Sequence, residues 1–156
     1  MEKAPDDFHP TLDCTGKEYH YHVCFGGLQT PFDRHFSWHF PYILDISLMQ
    51  EAASILIGER DFSAFCNVKK EQNYEHYVRH IRTLNVVELP NQRLRFEIEG
   101  NNFLYRMVRN LVGTLVYIGC GKISISDLPH ILANKKRSEA GVTAPAHGLF
   151  LHHVHY

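Results

Sequence analysis

The sequence has no apolar run long enough to cross a bilayer. Its most apolar stretch, residues 110–121, is about a dozen residues long and contains three glycines, whereas a membrane-spanning helix needs roughly 20 apolar residues. Residues 1–7 are polar and acidic, unlike the basic and apolar start of a secretory signal. We therefore expect no membrane association and a cytoplasmic location.

Cysteine is scarce and never paired in sequence. The four cysteines are Cys14, Cys24, Cys66 and Cys120, and no two of them form a C-x-x-C pair, which excludes the common zinc and redox motifs. With 156 residues, 44% of them hydrophobic, the chain has the size and composition of one globular domain spanning residues 1–156. Its core needs no disulfides.

A strong net charge is also missing, since 16 basic residues face 17 acidic ones. That balance argues against a generic nucleic-acid binder, but it averages two unlike halves. Residues 1–75 contain six basic and 12 acidic residues, and residues 76–156 contain ten basic and five acidic ones. Arginine, whose planar group suits phosphate, predominates in the basic half. The cations of interest are Arg79, Arg82, Arg93, Arg95, Arg106, Arg109, Lys135, Lys136 and Arg137.

Hydrophobic periodicity predicts four main strands and three helices. Apolar and polar residues alternate over 18–25, 78–89, 93–99 and 148–156, which predicts strands. Helical spacing over 46–57, after a possible N-cap at Asp45, predicts a first helix. A second helix is predicted from residue 103 to the glycines at 119 and 121, and a short third one over 126–134.

This order predicts an α/β fold of the ferredoxin-like type, β-α-β-β-α-β with one additional helix. In that unit the strands form one antiparallel sheet and the helices cover one face. The strands at 78–89 and 93–99 are expected to form a hairpin around Pro90 and Asn91.

Five stretches of the sequence resemble the A-type tRNA pseudouridine synthases. They are PDDFH at 5–9, KEYHY at 17–21, GERDFSAF at 58–65, GNNFLYRMVRNLVG at 100–113 and AHGLFL at 146–151. The element F-x-x-x-M-V-R-N-x-V-G is specific to the family, and the order of the stretches matches from residue 5 to the C-terminus. The resemblance therefore covers nearly the whole chain.

The resemblance implies an isomerase that converts uridine to pseudouridine in the anticodon stem-loop of tRNA. Such an enzyme detaches the base, turns it and rejoins it through carbon, without cofactor or metal, and the complete enzyme is a homodimer. The family's essential aspartate lies in a motif R-T-D-x-G-V-H-A that this sequence does not contain. We therefore expect the chain to be the C-terminal, RNA-binding half of such an enzyme and to be inactive alone.

Five site residues follow from the resemblance. Tyr19 matches the tyrosine that stacks on the target base, which suits a base removed from its own stack. Arg109 matches the arginine that pairs with the catalytic aspartate and would keep it ionised. Leu149 and Leu151 match apolar residues of the base pocket, and Arg106 is a further substrate-binding candidate. Without the resemblance, an ordinary core tyrosine and an ordinary surface arginine are the better interpretations of Tyr19 and Arg109. A plain core strand explains Leu149 and Leu151 nearly as well as a base pocket does.

Two alternatives and one minor candidate stay open at this point. A ferredoxin-like unit with strand aromatics and hairpin arginines could be a non-catalytic RNA-binding module. Among the 12 histidines, the pairs His20/His22 and His153/His155 could converge from neighbouring strands to bind zinc or nickel. Asp61 is a poor replacement for the missing aspartate, because D-F-x-x-F resembles a packing motif.

Overall fold

The computed structural model describes residues 6, 14–27, 31, 33–68 and 73–156. The family-like stretch at 5–9 therefore lies outside the described residues, except for residue 6. The described part contains six strands and three helices. They are β1 (Gly16–Phe25), β2 (Trp38–Phe40), α1 (Ile46–Leu56), β3 (Gly58–Asp61), β4 (Val78–Leu89), β5 (Arg93–Gly100), α2 (Met107–Gly119), α3 (Leu128–Asn134) and β6 (Leu149–His155).

The sheet has the predicted ferredoxin-like topology. β1 lies between β5 and β6 and pairs antiparallel with both, and β4 pairs antiparallel with β5. The four predicted strands thus stand in the spatial order β6-β1-β5-β4. Two short strands extend this unit, because β2 runs parallel to the end of β1 and β3 pairs antiparallel with β4.

Alternation along β1 and β5 separates the two faces of the sheet. Tyr21, Val23 and Phe96 are fully buried, because they face the layer of helices. His20 and Glu97 lie opposite each other in the β1–β5 register and point to the other face, since neighbouring side chains on a strand alternate. We call that second surface the helix-free face.

The helices begin where the backbone amides find side-chain or loop partners. The predicted N-cap at Asp45 is confirmed, since its Oδ1 accepts a hydrogen bond from the Leu48 amide at 3.0 Å. α2 begins at Met107 rather than at residue 103. The reason is local, because the side chains of Asn101 and Asn102 accept hydrogen bonds from the next residues' amides and so compete with helix formation.

The core lies between the sheet and α1 and α2. Leu111, Leu115 and Ile118 of α2 and Met49 and Leu56 of α1 are fully buried and join the sheet residues in one cluster. Burial of such side chains is the main driving force of folding. Within the described residues, no helix is long and apolar enough to cross a membrane.

Candidate active site

Four of the five site candidates line one cavity beside β1 and the start of α2. The cavity has a volume of about 130 Å³, well below the roughly 300–1,000 Å³ of a complete ligand pocket. It is therefore too small to enclose a ligand of ordinary size by itself. Its lining comprises Tyr19, Phe103, Leu104, Arg106, Met107, Val108, Arg109 and Leu149.

Tyr19 presents an aromatic ring at this cavity. The ring packs edge-on against Phe103, with 5.3 Å between ring centroids and an interplanar angle of 88°. Burial raises the pKa of the Tyr19 phenol, and Cys14 raises it further, so the ring is uncharged at neutral pH. Phe103 was not predicted as a site residue, although its place in the family-like motif could have indicated it. Because the two rings are nearly perpendicular, they form an apolar corner of the cavity, which we call the platform, and a base can stack on the face of one ring there.

Arg109 reaches the same cavity from α2. Its Nε donates a hydrogen bond to the Ala144 carbonyl at 2.6 Å, and the Ala144 amide donates back to the Arg109 carbonyl at 3.1 Å. The terminal nitrogens Nη1 and Nη2 have no hydrogen-bond or ion-pair partner among the described residues. The guanidinium is therefore held in place through Nε while its two terminal nitrogens, with four N–H donors, are left for a carboxylate or phosphate.

Arg106 stands at the mouth of the cavity in a left-handed conformation. It immediately precedes α2, with φ of 60°, a region that costs a residue with a side chain roughly 1–2 kcal/mol. Its guanidinium lies 4.9 Å from the centre of the Tyr105 ring, and the residue is exposed. Arg106 therefore adds an exposed cation to the cavity that Tyr19 also lines.

The two leucine candidates are placed differently. Leu149 lines the cavity. Leu151 pairs with Tyr19 across β1 and β6 but is 54% exposed and does not line the cavity. An exposed leucine beside the platform is available to contact a ligand larger than the cavity.

A segment that we call the strap, residues 141–148, packs across α2 on the side of the helix that carries Arg109. The Gly141 amide donates to the Thr114 hydroxyl at 2.9 Å, and a Cβ on Gly113 would overlap the carbonyl oxygen of Val142. The Tyr21 hydroxyl donates to the Pro145 carbonyl, and burial raises the pKa of that phenol. The close approach of strap and helix explains why a glycine occupies the last position of the M-V-R-N-x-V-G element.

Asn110 is a buried hub that the sequence analysis missed. Its Nδ2 donates to the Phe65 carbonyl at 2.7 Å and to Asn67 Oδ1 at 2.8 Å. Its Oδ1 accepts from Arg137 Nη2 at 2.9 Å and from the Thr143 hydroxyl at 2.6 Å. A single fully buried amide therefore ties α2 to the strap and to two loops, and it stands next to Arg109 in the family-like motif.

Replacing Asn110 with alanine is expected to destabilise the chain by about 3 kcal/mol, because each buried polar group left unpaired costs about 1–3 kcal/mol. Urea unfolding followed by circular dichroism measures the change. Asn85→Ala is the matched control, since Asn85 is exposed on β4 and such a change alters stability by less than about 0.5 kcal/mol. Equal effects for both variants would contradict the hub.

Six of the nine basic residues singled out in the sequence either pair with a carboxylate or turn inward among the described residues. Four of them form ion pairs with carboxylates, namely Arg82 with Glu99, Arg93 with Asp33, Arg95 with Glu97 and Lys135 with Asp61. Arg79 and Arg137 turn inward, and Arg137 donates to Asn67, Asn110, Gly141 and Thr143. Acidic side chains of the same sheet and loops therefore pair with four of the nine cations, so the basic half of the sequence does not form a broad uncompensated basic face among the described residues.

Five of the nine cations have no carboxylate partner within the described part of the chain. Two of them, Arg79 and Arg137, turn inward, and the others are Arg106, Arg109 and Lys136. Arg106 and Arg109 line the cavity and place positive charge without a carboxylate partner beside Tyr19.

Asp61 serves packing, as expected. Its Oδ1 accepts hydrogen bonds from the amide and hydroxyl of Ser63, and Phe62 and Phe65 are fully buried. Asp61 does not line the cavity that contains Tyr19. It is no substitute for the aspartate of the R-T-D motif.

The expected convergence of histidines occurs with a different partner. His20 of β1 stacks on His152 of β6, with 3.9 Å between ring centroids, whereas His153 packs against His155. His22 packs against Phe150. The four-histidine cluster anticipated from sequence is therefore wrong in its membership, because a register shift between β1 and β6 changes which residues face each other.

Comparison with known proteins identifies relatives along the whole chain. A family model described as tRNA pseudouridine synthase matches residues 52–156. A tRNA pseudouridine synthase A 2 of Protochlamydia amoebophila is 54% identical over 155 residues, which is 99% of this chain and 59% of that protein. A tRNA pseudouridine synthase A of Listeria monocytogenes is 41% identical over 157 residues, covering 100% of this chain and 62% of the relative. The chain thus spans about three fifths of the length of these relatives.

Proposed function

The chain belongs to the tRNA pseudouridine synthase family, and on that premise we propose that it supplies the base-binding wall of a site that isomerises uridine in tRNA. The observation that carries this proposal is the meeting of Tyr19 and Arg109 at one small cavity. An aromatic platform and a guanidinium with two unpaired terminal nitrogens suit a flipped base and an anionic catalytic group.

The proposed chemistry conserves all atoms of the nucleoside. The bond between N1 and C1′ breaks, a bond between C5 and C1′ forms, the proton on C5 leaves and N1 gains a proton. The flipped base contacts the rings of Tyr19 and Phe103, which replaces the stacking that it loses when it leaves the RNA helix. Leu149 closes one side of the platform. Arg109 holds the family's aspartate ionised and oriented, since a guanidinium nearby lowers a carboxyl pKa by roughly 1–3 pH units.

The substrate, location and assembly follow the same proposal. We take the substrate to be uridines of the tRNA anticodon stem-loop, the location to be the cytoplasm, and the complete enzyme to be a homodimer without a cofactor. In this scheme residues 1–156 act as the C-terminal α/β domain, and the R-T-D motif comes from a segment outside the given sequence. The cavity has a volume of only about 130 Å³, which supports the proposal that residues outside the given sequence complete the site.

A chimera tests the function. This chain replaces the matching 155 residues of the Protochlamydia amoebophila relative, and pseudouridine formation is followed by release of tritium from tRNA labelled at C5 of uridine. We expect the chimera to form pseudouridine in tRNA, at uridines of the anticodon stem-loop, with the unmodified relative tested in parallel. A chimera that folds and binds tRNA but forms no pseudouridine overturns the proposal.

Because the cavity is lined by two cations, Arg106 and Arg109, we expect a shallow salt dependence of RNA binding. With two or three phosphate contacts, the slope of log affinity against log salt is expected to be about −2, since each contact contributes about −0.7 to −0.9. Fluorescence anisotropy of the 156-residue chain with a labelled anticodon stem-loop measures it. A slope of about −6 or steeper would show that the ion-paired arginines also bind phosphate.

A further inference from the structure

The helix-free face has a compact group of imidazoles and carboxylates beside the centre of β1. Glu18 Oε1 lies 3.1 Å from His20 Nε2, and Glu97 Oε2 lies 3.7 Å from the same nitrogen. The His152 ring stacks on the His20 ring. One ligand atom from each of Glu18, His20 and His152 lies within 4.8 Å of the others.

A β-bulge brings the third of these side chains into place. Glu18 pairs with His153 and Tyr19 pairs with Leu151, so that His152 is the extra residue at the register shift between β1 and β6. A bulge re-aims a side chain relative to a regular ladder and is often found at functional sites. Here it places an exposed imidazole over one that has only 12% of its side chain exposed.

We propose that Glu18, His20 and His152 bind one divalent transition-metal ion of the zinc class. Two imidazoles and a carboxylate are a ligand set that zinc, cobalt and nickel accept and that magnesium does not favour. The two rings are nearly parallel, at 11°, so a shared ion requires the exposed His152 to rotate about its side-chain bonds. Glu97 Oε2 lies 3.7 Å from His20 Nε2 but is engaged by Arg95 Nε at 3.2 Å, and it is not part of the proposed ligand set.

A second group on the same face is the weaker site. Glu18, Glu99 and His155 also bring ligand atoms within 4.8 Å of one another, but this group has a single imidazole. Glu99 is engaged by Arg82 at 3.5 Å, and a bound cation would compete with that arginine. The two-histidine group has the softer ligands, and its Glu18 has no Lys or Arg ion-pair partner among the described residues.

The site is separate from the Tyr19 cavity. Tyr19 and His20 are neighbours on β1, and their side chains point to opposite faces of the sheet. A metal ion here would link β1 to β6, the strand that carries Leu149. The inference therefore does not depend on the proposed catalytic role and concerns ion binding by this chain alone.

The test uses the untagged 156-residue chain with Co²⁺ as a spectroscopic probe and Zn²⁺ in calorimetry. We expect one equivalent of Zn²⁺ to bind and to displace Co²⁺, and His152→Ala to weaken binding at least about tenfold, because a ligand is lost. His20→Ala should do the same. His130→Ala is the matched control, since His130 is an exposed histidine on α3, outside the proposed ligand set.

Four results would overturn the assignment. The first is the lack of saturable one-equivalent binding, and the second is unchanged affinity in both His152→Ala and His20→Ala. The third is an equal loss in His130→Ala, which would indicate scattered histidine binding. The fourth is loss only in His155→Ala, which would place the ion at the second group. Circular dichroism of His152→Ala verifies folding, and this residue is exposed, so its removal leaves the core intact.

Discussion

Replacing Arg109 with alanine in the chimeric enzyme is expected to lower turnover at saturating tRNA by at least about a hundredfold, the usual effect of removing one aimed electrostatic group. tRNA affinity should change by less than about tenfold, since the loss of one phosphate contact has a modest effect. The reason is the geometry of the guanidinium, which is fixed through the hydrogen bond from Nε to the Ala144 carbonyl and has both terminal nitrogens left for the carboxylate. Single-turnover kinetics and anisotropy separate the two quantities.

Two further variants sharpen this test. Arg109→Lys keeps the charge but loses the planar fork, so turnover should still fall at least about tenfold. Arg106→Ala removes an exposed cation at the same cavity and should weaken affinity more than turnover. If Arg109→Ala instead reduces affinity and leaves turnover at saturating tRNA unchanged, the arginine binds RNA and does not hold the catalytic carboxylate.

Replacing Gly113 with alanine is expected to destabilise the 156-residue chain by at least about 3 kcal/mol, at the upper end of overpacking effects. The added Cβ would overlap the carbonyl oxygen of Val142 and lie 2.7 Å from its carbonyl carbon. Both neighbours are backbone atoms, so the strap itself must move. That movement would also displace Ala144, the anchor of Arg109.

Whether Gly113→Ala raises or lowers the free energy of unfolding decides whether the strap contacts α2 at this position. In a helix without such a neighbour, changing glycine to alanine stabilises by about 1 kcal/mol, so stabilisation in urea unfolding would contradict the observed approach of strap and helix. Gly27→Ala is the matched control, because a Cβ there has only an ordinary contact at 3.7 Å with Gln92. It should leave stability within about 0.5 kcal/mol.

The main elements of the fold could be predicted from the sequence because each has a clear period. Alternation in β1 and β5 and the spacing of α1 and α2 reflect one buried face per element, which a single sequence reveals. β2 has three residues and β3 has four, too few for a period to be recognised. Their pairing depends on which neighbours the rest of the chain brings close.

The residues of the candidate site could be identified from sequence motifs, but the buried hydrogen bonds that hold them in place could not. Tyr19 and Arg109 could be matched to a family, whereas the hub role of Asn110 requires knowing that two loops and the strap meet at α2. Arg137 illustrates the same limit, since a basic loop on the surface and an arginine that donates four hydrogen bonds inward look identical in sequence. Burial of polar groups depends on tertiary contacts.

The central claim is that the target uridine stacks in the cavity formed by Tyr19 and Phe103, and the rate of pseudouridine formation in two Tyr19 variants of the chimera tests it most directly. Under single-turnover conditions with saturating tRNA, Tyr19→Phe keeps the ring and should react within about threefold of the wild type. Tyr19→Leu removes the ring and should react at least about tenfold more slowly, since base stacking contributes about 1–3 kcal/mol. Equal rates for Tyr19→Leu and wild type would contradict the claim.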